Sequence, residues 1–296
     1  MGILIVCKGA DFSKCAVDKV EIPTEPDCNH VYDNACDTTC NLCGEVRTAP
    51  HNFVDGICTI CGEKDPNDIR SYPVYDTSLK GLYALGGTAD ASLVNHAPEP
   101  HVNDGTEAFS GEYCEVEDNY VTFSGLAKEA TMHTYLRLPL ESGITTVILF
   151  SVPYVAGATS NGRPLFSNKS SGAANLTLTN YNVAYAKNAT ANTVAFEGGM
   201  INSENFAILA MTADVNGFRV VRYSNGRLNE IAECGEAIDV WTTNAIQIGG
   251  NSTSTKCGTA NISLAAIHEG VLSDPQLESI CEFVKEYGEG KGLTIE

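Results

Sequence analysis

The chain has 296 residues, 43% of them hydrophobic, with 37 acidic side chains against 18 basic ones and a net charge of −19. That length leaves room for one large domain and a small one, or for two of medium size. So acidic a surface excludes nucleic acid, which is bound by displacing counterions onto a basic face, and excludes adsorption to an anionic membrane.

Residues 1–22 pair a β-type apolar run, Ile3–Val6, with the polar stretch Lys8–Ser13. Residues 10–20 have the pattern of a short helix capped by Asp11. A segment this small cannot bury enough area to fold alone, so it is expected to dock on something else. Met1–Val20 lacks the basic n-region and long h-region of a signal peptide.

Eight potential metal ligands then fall between Cys28 and Cys61: Cys28, His30, Cys36, Cys40, Cys43, His51, Cys58 and Cys61. Six thiols and two imidazoles are the donors of two four-coordinate zinc ions with none left over. An internal repeat underlies them, since His30-x-Tyr32…Cys40-x-x-Cys43-Gly44-Glu45 matches His51-x-Phe53…Cys58-x-x-Cys61-Gly62-Glu63. Each Cys-x-x-Cys is followed by a glycine, which suits the tight turn that aims two thiolates at one ion. The aromatic two places after each His is expected to form the small packing core of each unit. A disulfide knot is the competing account. It explains neither the matched histidines nor the Cys-x-x-Cys turns, where a disulfide is strained. Cys28, His30, Cys40 and Cys43 form the first natural set, and Cys36, His51, Cys58 and Cys61 the second. Exchanging Cys28 with Cys36 between the sets satisfies the same counts, so the pairing stays open at this point. Either way each site is closed and structural, within a module over residues 27–64. Residues 65–71 read as a linker.

Residues 72–296 read as β-rich. Strands are predicted at 120–124, 134–138, 145–154, 175–178, 193–197, 206–212, 218–223, 228–233, 245–248 and 262–268, some alternating and some continuously apolar. Asn225-Gly226 between two of them signals a type I′ hairpin. The longest apolar run, residues 144–158, is interrupted by Thr145, Thr146, Ser151 and Pro153 and is too short to span a bilayer. One helix is predicted, opening on the capping box Ser273-Asp-Pro-Gln276, continuing through Leu277, Ile280, Cys281 and Val284, and ending at Gly288. Many strands with one late helix point to an all-β protein, an antiparallel two-sheet jelly-roll sandwich. Cys114, Cys234, Cys257 and Cys281 are scattered and read as small buried hydrophobes.

Three resemblances add to this reading. The Cys28–Gly62 stretch, above all Tyr32-Asp-Asn-Ala-Cys-Asp-Thr-Thr-Cys-Asn-Leu-Cys-Gly-Glu-Val-Arg47, looks like a zinc-ribbon-type repeat of gut Firmicutes surface proteins, which implies a spacer or adhesion module. Residues 72–296 resemble the concanavalin A-like (laminin G-like) lectin/glucanase superfamily through Leu79–Gly87, Ser92–Asn95, Ile246–Gly250 and Ala265–Asp274. That resemblance implies a sandwich whose two sequence ends pair, and a glycan as ligand. The opening Ile3–Val17 is similar to N-termini of tail and fibre proteins in crAss-like and other Bacteroides gut phages, where it implies docking to other virion proteins.

Enzymes of the lectin/glucanase superfamily carry Glu-x-Asp-x-x-Glu on one strand, with alternation placing the acids on one cleft-facing side. Here Glu115-Val-Glu-Asp118 has the wrong order and Glu236-Ala-Ile-Asp239 the wrong spacing. No Gly-x-Ser-x-Gly elbow is present, and His96, His101, His133 and His268 stand in no catalytic setting. A non-enzyme is expected. Asp214–Gly217 and Asn251 can help to hold calcium or sugar, and are equally typical of turns. The sum is a virion-associated structural or adhesion protein with two structural zinc ions, binding glycans and assembling as a homo-oligomer, a trimer by analogy with fibres. The alternative is a bacterial surface adhesin, which needs an export signal that Met1–Val20 does not supply.

Overall fold

Two units divide the chain, residues 1–64 and 65–296. The computed structural model describes residues 4–6, 16–18, 29–48, 51–54, 57–63, 65, 68–98, 107–110, 113–153, 162–168, 176–188, 190–238, 245–251 and 257–296. Cys28, His101, Asp239 and most of the 1–22 segment lie outside the described residues.

In the first unit, β1 (Leu4–Val6) pairs antiparallel with β2 (Ala16–Asp18), in register Leu4 with Asp18 and Val6 with Ala16. Residues 16–18 are therefore strand, not the helix expected there. A short extended run needs a partner for its N–H and C=O groups, and β-branched Val17 suits that role. Farther on, β3 (Phe53–Val54) and β4 (Ile57–Cys58) form a minimal hairpin.

The second unit opens with β5 (Leu79–Ala84) and the single-turn helix α1 (Ala89–Ser92), capped by the Thr88 hydroxyl. Four short strands follow: β6 (Ala108–Ser110), β7 (Cys114–Val116), β8 (Val121–Phe123) and β9 (Thr131–His133). Next come β10 (Ile144–Val152), β11 (Pro164–Ser167), β12 (Thr177–Thr179), β13 (Asn182–Lys187) and β14 (Thr190–Ala195). The series ends with β15 (Ser203–Asp214), β16 (Gly217–Ser224), β17 (Arg227–Cys234), β18 (Gln247–Ile248), β19 (Ala260–Glu269) and the helix α2 (Asp274–Gly290). The strand expected over 134–138 is absent. The ladder stops at His133, because Tyr135 adopts a left-handed φ of 57°. The Asn225-Gly226 hairpin forms with both residues at positive φ, 53° and 72°, as a type I′ turn requires.

One sheet runs β17-β16-β15-β10-β19-β8-β7, with β5 also paired to β19, and the other runs β14-β13-β12-β11-β18-β9-β6. Their inner faces meet in one core, in which Phe123, Ile148, Phe150, Leu209 and Ile267 of the first sheet join Met132, Phe166, Leu178 and Ile248 of the second. The fold is an antiparallel two-sheet β-sandwich, with one long helix at its C-terminal end. That helix explains the continuously apolar strands. α2 lays Leu277, Ile280, Phe283, Val284 and Tyr287 over the outer face of the first sheet, against Val147, Leu149, Ile208, Leu264 and Ala266. Central strands are thus buried on both faces, and β10 alternates between two cores rather than between core and water. α2 also runs past the expected stop. Gly288 lies inside it because a Cβ there would come within 2.8 Å of Leu149, and the chain turns off at Gly292, with φ of 80°.

A cation sits inside this fold. Arg163, fully buried before β11, gives Nε to the Gly249 carbonyl at 2.6 Å, Nη1 to Gly125 at 3.0 Å and Gly258 at 3.3 Å, and Nη2 to Ala130 at 2.6 Å. Those carbonyls belong to the β8–β9 and β18–β19 connections, which one side chain ties to β11. Burial lowers its pKa, and the carbonyl dipoles offset the cost of an interior charge.

Candidate metal centre

The knuckles are built locally. In the first, the Gly44 N–H donates to the Cys40 carbonyl at 2.9 Å and the Cys40 N–H to the Glu45 carbonyl at 2.9 Å. The second repeats this with Gly62 on Cys58 at 2.9 Å and Cys58 on Glu63 at 2.7 Å. Gly44 and Gly62 hold φ of 73° and 77°, and no atom lies within 4 Å of where a Cβ would stand, so glycine serves the turn and not a packing need.

Two groups of side chains result. Cys36, His51, Cys58 and Cys61 bring one ligand atom each to within 4.8 Å of one another, and so do His30, Cys40 and Cys43. Cys28, the remaining member of the first expected set, lies outside the described residues. Cys36 Sγ lies 3.4 Å from Cys58 Sγ, Cys61 Sγ 3.3 Å from His51 Nδ1, and Cys43 Sγ 3.5 Å from His30 Nδ1. Zinc-length bonds to sulfur and nitrogen place donors about 3.5–3.8 Å apart on a tetrahedron, close to this spacing. Both groups could hold a metal ion. Thiolates with an imidazole are the donors of zinc, whereas calcium and magnesium take oxygen.

The electrostatics are those of a cation cradle. Burial raises the Cys40 thiol, but N–H groups of Cys43, Leu42 and Val31 outweigh it and draw the pKa down to about 5. At Cys58, burial is likewise outweighed by N–H groups of Cys61, Ile60 and Asn52, again giving about 5. Cys36 moves the other way, to about 12, raised by burial and then by the Cys58 and Cys61 thiols beside it. Each group thus holds one thiol drawn toward its thiolate, and a second thiolate beside it is disfavoured unless a cation offsets the repulsion.

Around the donors stand two carboxylates and two aromatic rings. His30 Nε2 lies 3.2 Å from Glu45 Oε2, and His51 Nε2 3.6 Å from Glu63 Oε2. The carboxylate thus faces the ring nitrogen turned away from the thiols, as carboxylates behind metal-bound imidazoles do. The Gly-Glu after each knuckle was the available signal. Tyr32 stacks on His30 with ring centres 6.2 Å apart and Phe53 on His51 at 5.2 Å, so the repeat's aromatics pack on its own histidines.

The other candidates have ordinary structural places. Asp214 and Asn216 build the β15–β16 turn, with the Asn216 N–H donating to Asp214 Oδ1 at 2.7 Å, and Asn251 is buried. Among the described residues, the metal-compatible groups are the two Cys/His clusters, and none has the acidic donors that calcium requires. Glu115, Glu117 and Asp118 are exposed around β7, and Glu236 pairs with Lys187 at 2.9 Å. His268 is a core residue. Ser78 Oγ donates to Asp76 Oδ1 at 2.6 Å, so His268 Nδ1 donates to Ser78 at 3.1 Å and Nε2 accepts from the Tyr72 hydroxyl at 2.9 Å. Burial lowers its pKa to about 4, leaving it neutral. Beside this network Pro73, Val74, Tyr75, Asp76, Pro275, Gln276 and Ser279 line a shallow cleft of about 420 Å³. Tyr75 is 37% exposed, and its hydroxyl donates to the His96 carbonyl at 2.7 Å.

No protein-family model matches the chain, and no curated protein matches it. Among solved structures, it is similar to the binding domain of botulinum neurotoxin serotype D, with a TM-score of 0.48 and 12% identity over 71% of this chain and 51% of that one. It is similar to a Trypanosoma rangeli sialidase with a TM-score of 0.47 and 14% identity, covering 71% of this chain and 33% of that one. The binding domain of Paraclostridial Mosquitocidal Protein 1 gives 0.47 and 13%, covering 70% and 52%. The chain spans about half the length of the two binding domains and a third of the sialidase. These likenesses assign it neither ligand nor reaction.

Proposed function

We propose that residues 28–61 bind two structural zinc ions, and that this stiffened module accompanies a carbohydrate-binding sandwich on the outside of a bacteriophage virion. One ion takes Cys28, His30, Cys40 and Cys43, and the other Cys36, His51, Cys58 and Cys61. The observation that carries the metal reading is the gathering of donors in two knuckles of the same backbone geometry. Four protein donors fill a tetrahedron and leave no position for water or substrate, so each ion serves structure and not catalysis. Sugar recognition is assigned to the Tyr75 cleft, which a partly exposed tyrosine lines together with Asp76 and Gln276. Residues 1–22 dock on other virion proteins, and the assembly is a homotrimer. The surface-protein resemblance of the module supports a second reading, a bacterial adhesin built from the same parts.

Elemental analysis of the purified chain should return two zinc ions per molecule. A metal-free protein with oxidised cysteines would overturn the metal reading. On a glycan array the full chain should bind a defined set of sugars, and Tyr75→Ala should lose at least tenfold in affinity while keeping its melting temperature. An array without binding rejects the lectin reading. Mass spectrometry of purified virions separates the phage protein, present in the particle, from the adhesin.

A further inference from the structure

We infer that Arg47 is the positioning residue that delivers Cys36 to the second metal site, so that this site is completed by the first repeat; the inference rests on the metal-binding reading above. The second repeat by itself offers three donors, His51, Cys58 and Cys61. The fourth, Cys36, lies within the first repeat, on the loop between Tyr32 and the knuckle, with its Sγ 3.4 Å from Cys58 Sγ.

That loop is held by one guanidinium. Arg47 Nε donates to the Asp37 carbonyl at 2.9 Å, and Nη2 donates to Asn34 at 3.0 Å and to Ala35 at 3.2 Å. These carbonyls flank Cys36 on both sides. The Cys36 N–H in turn donates to Asn34 Oδ1 at 2.8 Å, and the Arg47 N–H to the Thr38 carbonyl at 2.8 Å. The guanidinium lies 3.6 Å over the Tyr32 ring, and Tyr32 stacks on His30, a donor of the first site. A continuous series of contacts therefore runs from His30 through Tyr32 and Arg47 to Cys36 and Cys58. Arg47 follows the first knuckle in sequence, yet its hydrogen bonds serve a donor of the second. Lysine cannot substitute, because it lacks the planar fork that reaches several carbonyls while stacking on a ring.

The test is site-resolved. The full chain, loaded with zinc, is challenged with rising chelator, and exposed thiols are alkylated and mapped by peptide mass spectrometry. In Arg47→Ala, Cys36, Cys58 and Cys61 should become labelled at a chelator concentration at least tenfold lower than in the unsubstituted chain, while Cys40 and Cys43 keep their protection. Arg47→Lys should follow Arg47→Ala. Tyr32→Leu should shift the same three thiols by less, and Tyr32→Phe, which keeps the ring, should leave them unchanged. Protection of Cys40 and Cys43 in zinc before chelator is added shows that the module of each variant has folded. Equal weakening of both sets, or earlier loss at Cys40 and Cys43, would overturn the inference and leave Arg47 a local part of the first knuckle. Labelling of all these thiols in the unsubstituted chain regardless of added zinc would instead overturn the metal reading.

Discussion

Residues 29–63 leave Val31, Leu42, Val46, Val54, Ile57 and Ile60 exposed and bury Cys36, Cys40 and Cys58, whereas residues 65–296 bury Phe123, Phe150, Phe166, Leu209 and Ile267 completely or nearly so. Among the described residues, the short module turns these aliphatic side chains outward and three of its thiols inward, with Cys61 half-buried and Cys43 exposed, so burial of apolar area contributes little to holding it. The sandwich gains roughly 25 cal/mol for each Å² of apolar surface it removes from water, on both sides of its larger sheet. The lesson is that a short chain without a core needs a ligand to define its shape, while a long one can define its own. The two units should therefore fail under different stresses.

The largest effect expected is metal removal. Structural zinc contributes about 10 kcal/mol or more of folding free energy in small modules, so a strong chelator should make residues 29–63 protease-sensitive while the sandwich's calorimetric transition stays in place. Loss of both together would erase the contrast between the units. Next is Arg163→Leu, which strips partners from the Gly125, Ala130, Gly249 and Gly258 carbonyls. It should destabilise the sandwich by about 4 kcal/mol in urea titration, with zinc content unchanged.

The third concerns pH. His268 carries a folded pKa of about 4 against an ordinary 6.5, so between those values the unfolded chain takes up a proton that the folded one refuses. The stability this neutral histidine contributes is complete above pH 6.5 and is lost as the pH falls to about 4, for a change of up to about 3 kcal/mol. Denaturant titrations across that window should show the loss, and His268→Leu should flatten it. A slope unchanged by His268→Leu would place the titrating group elsewhere. The smallest effect belongs to the module. Glu45→Ala or Glu63→Ala should weaken zinc at the adjoining histidine by about tenfold to a hundredfold, measured by chelator competition, with no change in the sandwich's melting.

Much of this was legible in the sequence. The Gly44 and Gly62 turns, the Asn225-Gly226 hairpin and the Ser273 capping box each depend on residues a few positions apart, and each formed where the spacing placed it. The errors also have local causes. Residues 134–138 alternate like a strand, but left-handed Tyr135 breaks the ladder, and Gly288 resembles a helix stop although its missing side chain admits β10. The role of Arg163 has no sequence signal, because nothing near it in sequence announces the carbonyls that surround it.

By itself the sequence determined donor types, knuckle turns, strand content and the C-terminal helix, since these follow from composition and short-range periodicity. Only the tertiary structure decided that Cys36 joins His51, Cys58 and Cys61, that β10 lies between two cores, and that Tyr75 faces solvent while Tyr72 closes on His268. Those outcomes depend on which distant segments meet, and local periodicity carries no record of where the chain returns.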